Sequence, residues 1–222
     1  MPAVKSLDDL ALRHGTDKSS EKHDFAQIYE PYIERWREEP VTMLEIGVLN
    51  GGSLRTWVEY FPQGRIFAID INKAALAHQT DRAKIFIGDQ KDPELLDGLL
   101  AESGPLDLIV DDGSHRAEEQ LGTLHHLWPH LTPGGVYIME DIHTSYREKW
   151  GMRYREPHTT MEFLKGLADD IQHRWHRQPM GLPDVLSLHF YFETCVITKR
   201  LDTGSGRGAR ASVSSPTASV RA

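Results

Sequence analysis

The chain has 222 residues, 39% of them apolar and 26% charged, with a net charge of −8. That length fits one large domain and the composition is that of a globular protein. The acidic balance excludes an electrostatic nucleic-acid surface, which needs a basic patch against phosphates. The single Cys195 excludes an internal disulfide, and its apolar surroundings suit a packed core thiol. No apolar run approaches the roughly 20 residues of a membrane span. The first residues, Met1 to Ser6, lack the apolar core of a signal peptide, so a cytoplasmic protein without a membrane partner is expected.

Residues 6–13 read as a short helix, with Ser6 and Asp9 placed for a capping box. A polar break follows. Residues 22–37 carry Phe25, Ile28, Tyr29, Tyr32 and Ile33 at helical spacing, with Pro31 expected to kink or split the helix. Residues 1–40 hold no strand and are read as a helical lid beside the core, or alternatively as the dimerisation element of a homo-oligomer.

Residues 41–47 form the first predicted strand, and Asn50-Gly51-Gly52 a tight turn. From Ser53 a helix places Leu54, Trp57, Val58 and Phe61 on one stripe. A strand at 65–70 ends in Asp70. A helix around 73–81 leads to a strand at 84–89, then a helix at 92–103 with Leu95, Leu96, Leu99 and Leu100 inward. The next strand, 106–110, ends in Asp111 and Asp112. A helix from Ala117 aligns Leu121, Leu124, Trp128 and Leu131, a turn spans 132–135, and a strand at 136–139 ends in Glu140 and Asp141. This alternation, with right-handed crossovers, specifies a doubly wound, Rossmann-like α/β sheet.

Residues 143–158 are polar and aromatic, with Tyr146, Trp150 and Tyr154, and lack a period, as a functional loop does. Thr159 and Glu162 open a helix carrying Met161, Leu164, Leu167, Ile171 and Trp175 on one side. Residues 185–199 suit a hairpin turning near Glu193, which leaves one antiparallel strand. The main domain is therefore expected over 41–200, and 201–222, made of Gly, Ser, Ala, Thr and Arg, as a disordered tail.

In open α/β sheets, ligands bind beyond the carboxyl ends of the strands. The Glu45-x-Gly47-x-x-x-Gly51-Gly52-Ser53 turn allows close approach to backbone and offers the N–H groups of a helix start. Its spacing departs from the dinucleotide fingerprint. Asp70 stands where a ribose diol is gripped, and Asp89 can accept from an exocyclic amine. The alternative is that both acids cap helices. Asp112, Glu140 and Asp141 can supply oxygen ligands to one hard cation such as Mg²⁺, since clustered carboxylates repel without one. His115, three residues past Asp112, can take the proton of a hydroxyl acidified by that ion. His143 is a weaker candidate for substrate contact. His125, His126, His130, His173 and His176 read as surface residues.

Four motifs, HGTDKSS at 14–20, LEIGVLNGGSL at 44–54, DDGSH at 111–115 and EDIHTSY at 140–146, resemble the metal-dependent S-adenosylmethionine sugar O-methyltransferases of macrolide and other antibiotic biosynthesis. The resemblance is to the catalytic domain of the mycinamicin and demethylmacrocin type and covers about 7–199. The cephalosporin-hydroxylase-like proteins are broader relatives. It implies a class I methyltransferase sheet, Mg²⁺ on Asp112, Glu140 and Asp141, and His115 as general base. It also implies a cofactor site on Glu45, Gly47, Gly51, Ser53, Asp70, Asp89, Gln90 and Asp111, with Thr16 to Lys18 closing over it. Mycinamicin-type members carry a further N-terminal domain, and this sequence is expected to begin at the catalytic segment. The implied acceptor is a small-molecule glycoside. Alternatives are another small-molecule hydroxyl, a nicotinamide-dependent oxidoreductase, and a cofactor-binding scaffold without turnover.

Overall fold

Strands β1 (Thr42–Ile46), β2 (Arg65–Asp70), β3 (Ala83–Ile87), β4 (Leu106–Asp111), β5 (Leu131–Met139), β6 (Val185–Phe190) and β7 (Cys195–Lys199) share one sheet in a computed structural model. The structure describes residues 5–176, 178 and 180–201. The sheet order is β3-β2-β1-β4-β5-β7-β6. β1 lies parallel to β2 and β4, β2 to β3, and β4 to β5. β7 runs against both β5 and β6, so among the described strands it alone is reversed. The expected doubly wound sheet with one antiparallel strand is the one observed. Except for Leu201, the expected tail lies outside the described residues. Among the described residues, no helix is long and apolar enough to cross a membrane.

Successive side chains on a strand face opposite ways, and each face of this sheet has its own core. On one face, Met43, Leu108, Val110, Val136 and Ile138 pack under helices α1 (Leu7–His14), α2 (Phe25–Ile33) and α3 (Gly52–Tyr60). On the other, Leu44, Ile46, Ile109, Tyr137 and Met139 pack under α4 (Pro93–Ser103), α5 (Ala117–Leu127) and α6 (Thr160–Asp170). Cys195 is buried in this second core, and its surroundings push the thiol up to about 12.

The capping box of α1 forms as read: Ser6 Oγ accepts from Asp9 N at 3.1 Å and Ser6 N donates to Asp9 Oδ2 at 2.8 Å. α1 and α2 are built into the first core through Leu7, Leu10, Phe25, Ala26, Tyr29 and Ile33. Burial of each large apolar side chain contributes roughly 1.5–3 kcal/mol, so these helices are fixed to the sheet. What reaches the cavity mouth is the loop between them, through Thr16 and Asp17.

Several boundaries differ from the sequence reading. α2 begins at Phe25 and holds Pro31 without splitting, then tightens into a 3₁₀ turn at Glu34–Trp36. The segment after β2 is a 3₁₀ turn, Lys73–His78. The expected turn at 132–135 lies within β5, where the register against β4 shifts and Gly134 takes a positive φ. The expected structureless loop contains two 3₁₀ turns, Ile142–Tyr146 and Glu148–Trp150. Trp175 does not extend the stripe of α6, because that helix stops at Asp170 and the ring points into solvent at 87% exposure.

The tips of β1 and β4 meet at Gly47, whose φ of +90° is left-handed. A Cβ there would stand 2.2 Å from the carbonyl oxygen of Asp112. Gly47→Ala is therefore expected to lower stability by at least about 2 kcal/mol in urea denaturation, since both the dihedral and the backbone contact must yield. A loss below about 0.5 kcal/mol would show that the two strand ends separate easily.

Candidate functional site

A cavity of about 420 Å³ opens beyond the carboxyl ends of β1, β2, β3 and β4. Thr16, Gly47, Ser53, Asp70, Asp89 and Gln90, all read from the sequence as cofactor residues, line it. Asp112, His115 and Asp141 line the same cavity.

The loop after β1 is shaped by Asp70. Its Oδ2 accepts from Val48 N at 2.8 Å and Leu49 N at 3.1 Å, and its Oδ1 accepts from Asn72 N at 2.7 Å. Asp70 thus orders the backbone around the glycine turn, with lone-pair capacity left for a diol. It does not cap a helix. Asn72 caps the 3₁₀ turn by accepting from Ala74 N, and Asp92 caps α4 by accepting from Glu94 N. Asp89 accepts from Lys91 N in a local turn. The capping alternative for Asp70 and Asp89 is met by their neighbours instead.

Lys18, Glu45, Gly51 and Asp111 stand behind the cavity wall rather than in it. Strand alternation explains the two acids. Glu45 points to the face of α3, where Trp57 Nε1 donates to its Oε1 at 2.8 Å. Asp111 points to the opposite face, accepting from Tyr137 Oη at 2.8 Å and Gln90 Nε2 at 3.2 Å. Burial raises both carboxyls, Glu45 to about 7 and Asp111 to about 6. For Glu45 the facing Lys18 pulls part of the way back, and for Asp111 the Tyr137 hydroxyl does. At Gly51 the side-chain direction is filled by His78.

The acids at the tips of β4 and β5 divide in the same manner. Asp112 and Asp141 turn toward the cavity with His115, and one ligand atom from each lies within 4.8 Å of the others. His115 Nε2 is 3.4 Å from Asp141 Oδ2. Burial raises the Asp141 carboxyl, and His115 draws it back. Glu140 turns inward, toward α2. Its Oε2 accepts from Lys18 Nζ at 2.8 Å, and Lys18 Nζ also donates to Asp112 Oδ2 at 2.6 Å. Burial pushes the Glu140 carboxyl well up, Asp112 pushes it further, and Lys18 opposes both. Glu140 Oε1 is buried without a hydrogen-bond partner among the described residues.

Three left-handed non-glycine residues line the cavity, Leu49 at φ 48°, His115 at φ 59° and Asp141 at φ 56°. Such conformations cost about 1 kcal/mol or more at non-glycine residues and persist where surroundings enforce them. Thr144 Oγ1 lies 2.9 Å from the carbonyl oxygens of both His115 and Asp141 and can donate its one proton to either. Trp150 meets the His115 ring edge-on at 5.7 Å. His143 is turned to the far side of Asp141, with Nδ1 3.4 Å from Glu193 Oε1.

Sequence reasoning did not single out Thr144, Gln120, Tyr29 or Glu193. Gln120 is buried, donates to the Glu140 carbonyl at 3.0 Å and accepts from Thr160 Oγ1 at 2.8 Å. Its signal is legible afterwards: with Ala117, Thr123, Leu124 and Leu127 it forms the inward stripe of α5, so it is a polar residue at a core position.

Residues 44–142 match a family described as a methyltransferase domain. The chain carries a methyltransferase domain. It is 36% identical to 8-demethyl-8-alpha-L-rhamnosyl tetracenomycin-C 2'-O-methyltransferase of Streptomyces olivaceus, over 91% of this chain and 57% of that protein. It is 35% identical to mycinamicin VI 2''-O-methyltransferase of Micromonospora griseorubida, over 89% of this chain and 54% of that protein. The chain thus spans about half the length of the curated relatives it matches. Among solved structures, MycE methyltransferase of the mycinamycin pathway, in complex with Mg, SAH and mycinamycin VI, superposes with a TM-score of 0.81 at 33% identity. That superposition covers 89% of this chain and 54% of MycE. The methyltransferase domain accounts for β1 through the tip of β5, and the matches to whole proteins extend beyond it.

Glu45 gives a pH test of this arrangement. An acid whose carboxyl is raised by folding holds its proton more tightly folded than unfolded. Its contribution to stability is therefore highest below about 4.5 and falls as pH climbs toward about 7. Glu45→Gln lacks that loss. Its stability relative to the parent chain is expected to rise by about 3 kcal/mol between pH 4.5 and pH 7.5 in urea denaturation. A difference that stays flat over that range would show Glu45 ionised throughout.

Proposed function

We propose that this protein is an S-adenosylmethionine-dependent O-methyltransferase that works with Mg²⁺ on a sugar hydroxyl of a small-molecule glycoside of the antibiotic class. The observation that carries the reading is one shared cavity. It joins the glycine turn and Asp70, suited to a nucleoside, to Asp112, Asp141 and His115, suited to a hydroxyl and its proton. The named activities of the tetracenomycin and mycinamicin relatives support the acceptor class. The Mg and SAH bound to MycE support the cofactors.

The residues present fit a hard divalent ion. Asp112 and Asp141 offer carboxylate oxygens within 4.8 Å of each other and of a His115 ring nitrogen, while Glu140 is held by Lys18 beside this group. Among these groups there is no thiolate, so the donor set does not favour zinc. Gly47, Ser53, Asp70, Asp89 and Gln90 would hold the nucleoside, with Thr16 at its edge. Bound there, S-adenosylmethionine supplies the methyl group and Mg²⁺ acidifies the acceptor hydroxyl.

The protein's own part is placement and proton handling. The cavity would place the acceptor hydroxyl beside His115, whose imidazole would take its proton as the acceptor oxygen bonds to the methyl carbon and the methyl–sulfur bond breaks, with the neutral thioether S-adenosylhomocysteine as leaving group. Asp141, 3.4 Å away, stabilises the imidazolium that results. Trp150, edge-on to the ring, limits its rotation and its contact with water. Holding the oxygen in line with the methyl carbon accounts for most of the acceleration.

A panel of glycosylated natural products with methyl-labelled cofactor and Mg²⁺ tests the proposal. Transfer to a sugar hydroxyl is expected to vanish with chelator and to fall at least about 100-fold in kcat for His115→Ala. Transfer that survives both changes sinks the mechanism. Methylation of a non-glycosylated hydroxyl would keep the chemistry and replace the acceptor. Calorimetric binding of NAD in place of S-adenosylhomocysteine would favour the oxidoreductase reading instead.

A further inference from the structure

Lys18 is 3% exposed, an unusual place for a lysine, and burial alone would remove its charge. Its ammonium instead bridges Asp112 and Glu140 at 2.6 and 2.8 Å. Those two carboxylates supply the opposite charge that a buried ammonium needs. The backbone that delivers it is itself tied down: Ala26 N donates to Lys18 O at 2.8 Å, and Thr16 N donates to Ala11 O at 3.2 Å. The loop between α1 and α2 is thereby pinned to the tips of β4 and β5.

This placement gives the acid cluster an internal cation. Without Lys18, the nearest positive candidates among the described residues would be His115 and His143, and both stand at Asp141 rather than at Asp112 or Glu140. With it, two of the three carboxylates are drawn together before any ion arrives. A divalent ion that takes Asp112 as a ligand must share that carboxylate with an ammonium of the same sign. We propose that Lys18 is a built-in counter-ion, a positioning residue that holds Asp112 and Glu140 together and weakens divalent-ion binding at Asp112 and Asp141. The inference rests on the divalent-ion reading above. It assigns to this loop a role in metal affinity and in the assembly of the cluster, distinct from closure over a cofactor. Two opposing effects follow from removing the amine: lost positioning weakens ion binding, and lost repulsion strengthens it. Repulsion between a single and a double charge at close range is the larger effect in a partly desolvated site.

The probe is Mn²⁺ alone, titrated by calorimetry into the parent chain, Lys18→Met, Lys18→Arg and Asp112→Asn, with melting temperatures taken with and without the ion. Lys18→Met is expected to bind Mn²⁺ about ten-fold tighter or more than the parent. It should also melt lower without ion and gain more from saturating Mn²⁺. Lys18→Arg should return the affinity toward that of the parent. A folded Lys18→Met chain that binds Mn²⁺ no tighter than the parent overturns the proposal. If Lys18→Met is unfolded without ion, Mn²⁺ must restore it, and failure to do so overturns the proposal as well. Absence of Mn²⁺ binding to the parent chain and to Lys18→Met alike takes down the divalent-ion reading together with this one. Binding that Asp112→Asn abolishes but Lys18→Met leaves unaltered takes down this one alone.

Discussion

Two parallel strands end side by side in consecutive pairs of acids, and carboxylates brought that close repel unless something of opposite charge stands among them. The rest of the site is arranged around this constraint. Pleating separates the members of each pair. Asp111 goes to one face, where Tyr137 and Gln90 satisfy it, and Glu140 goes to the other, where Lys18 meets it. Asp112 and Asp141, the residues just past the regular ladder, are left at the mouth with His115. One strand position therefore decides whether an acid belongs to the framework or to the cavity.

That division was only partly legible in the sequence. The strand runs, the glycine turn and the alternation with helices identify the sheet, and its order places the tips of β4 and β5 together. The grouping of Asp112, His115 and Asp141 follows from local motifs, because each lies within a few residues of a strand end. The inward fate of Glu45, Asp111 and Glu140 follows from which face each strand residue takes. A continuous apolar run buried on both sides hides that parity, since it carries no polar alternation to read. Lys18 lies 94 residues from Asp112 and 122 from Glu140, a distance that no periodicity spans. Its motif marks it as a site residue without saying which charge it answers.

The N-terminal helices show a related limit. Their spacing correctly marks an apolar stripe, and the stripe packs into the first core with Trp57 and Tyr60 of α3. An amphipathic segment outside the strand pattern reads equally well as a cover or as part of the core. Leu7, Leu10, Tyr29 and Ile33 are buried in the core, while Thr16 and Asp17 line the cavity edge. The helices are thus a foundation from which a short loop reaches the site.

The same economy appears in the backbone around the mouth. His115 and Asp141 hold left-handed conformations that would relax in an isolated peptide, and one hydroxyl, that of Thr144, contacts the carbonyl of each. Gln120 accepts from Thr160 and donates to the carbonyl of Glu140, so α5 and α6 are both coupled to the peptide that carries Asp141. The polar groups that aim the reactive side chains therefore lie within the packed layers on either side of the sheet, and their hydrogen bonds are shielded from water. Strain at the mouth persists because relaxing it would break buried hydrogen bonds, each expensive to leave unmade. A flexible loop of the same composition could present the same acids and imidazole, but it could not keep them within reach of one another.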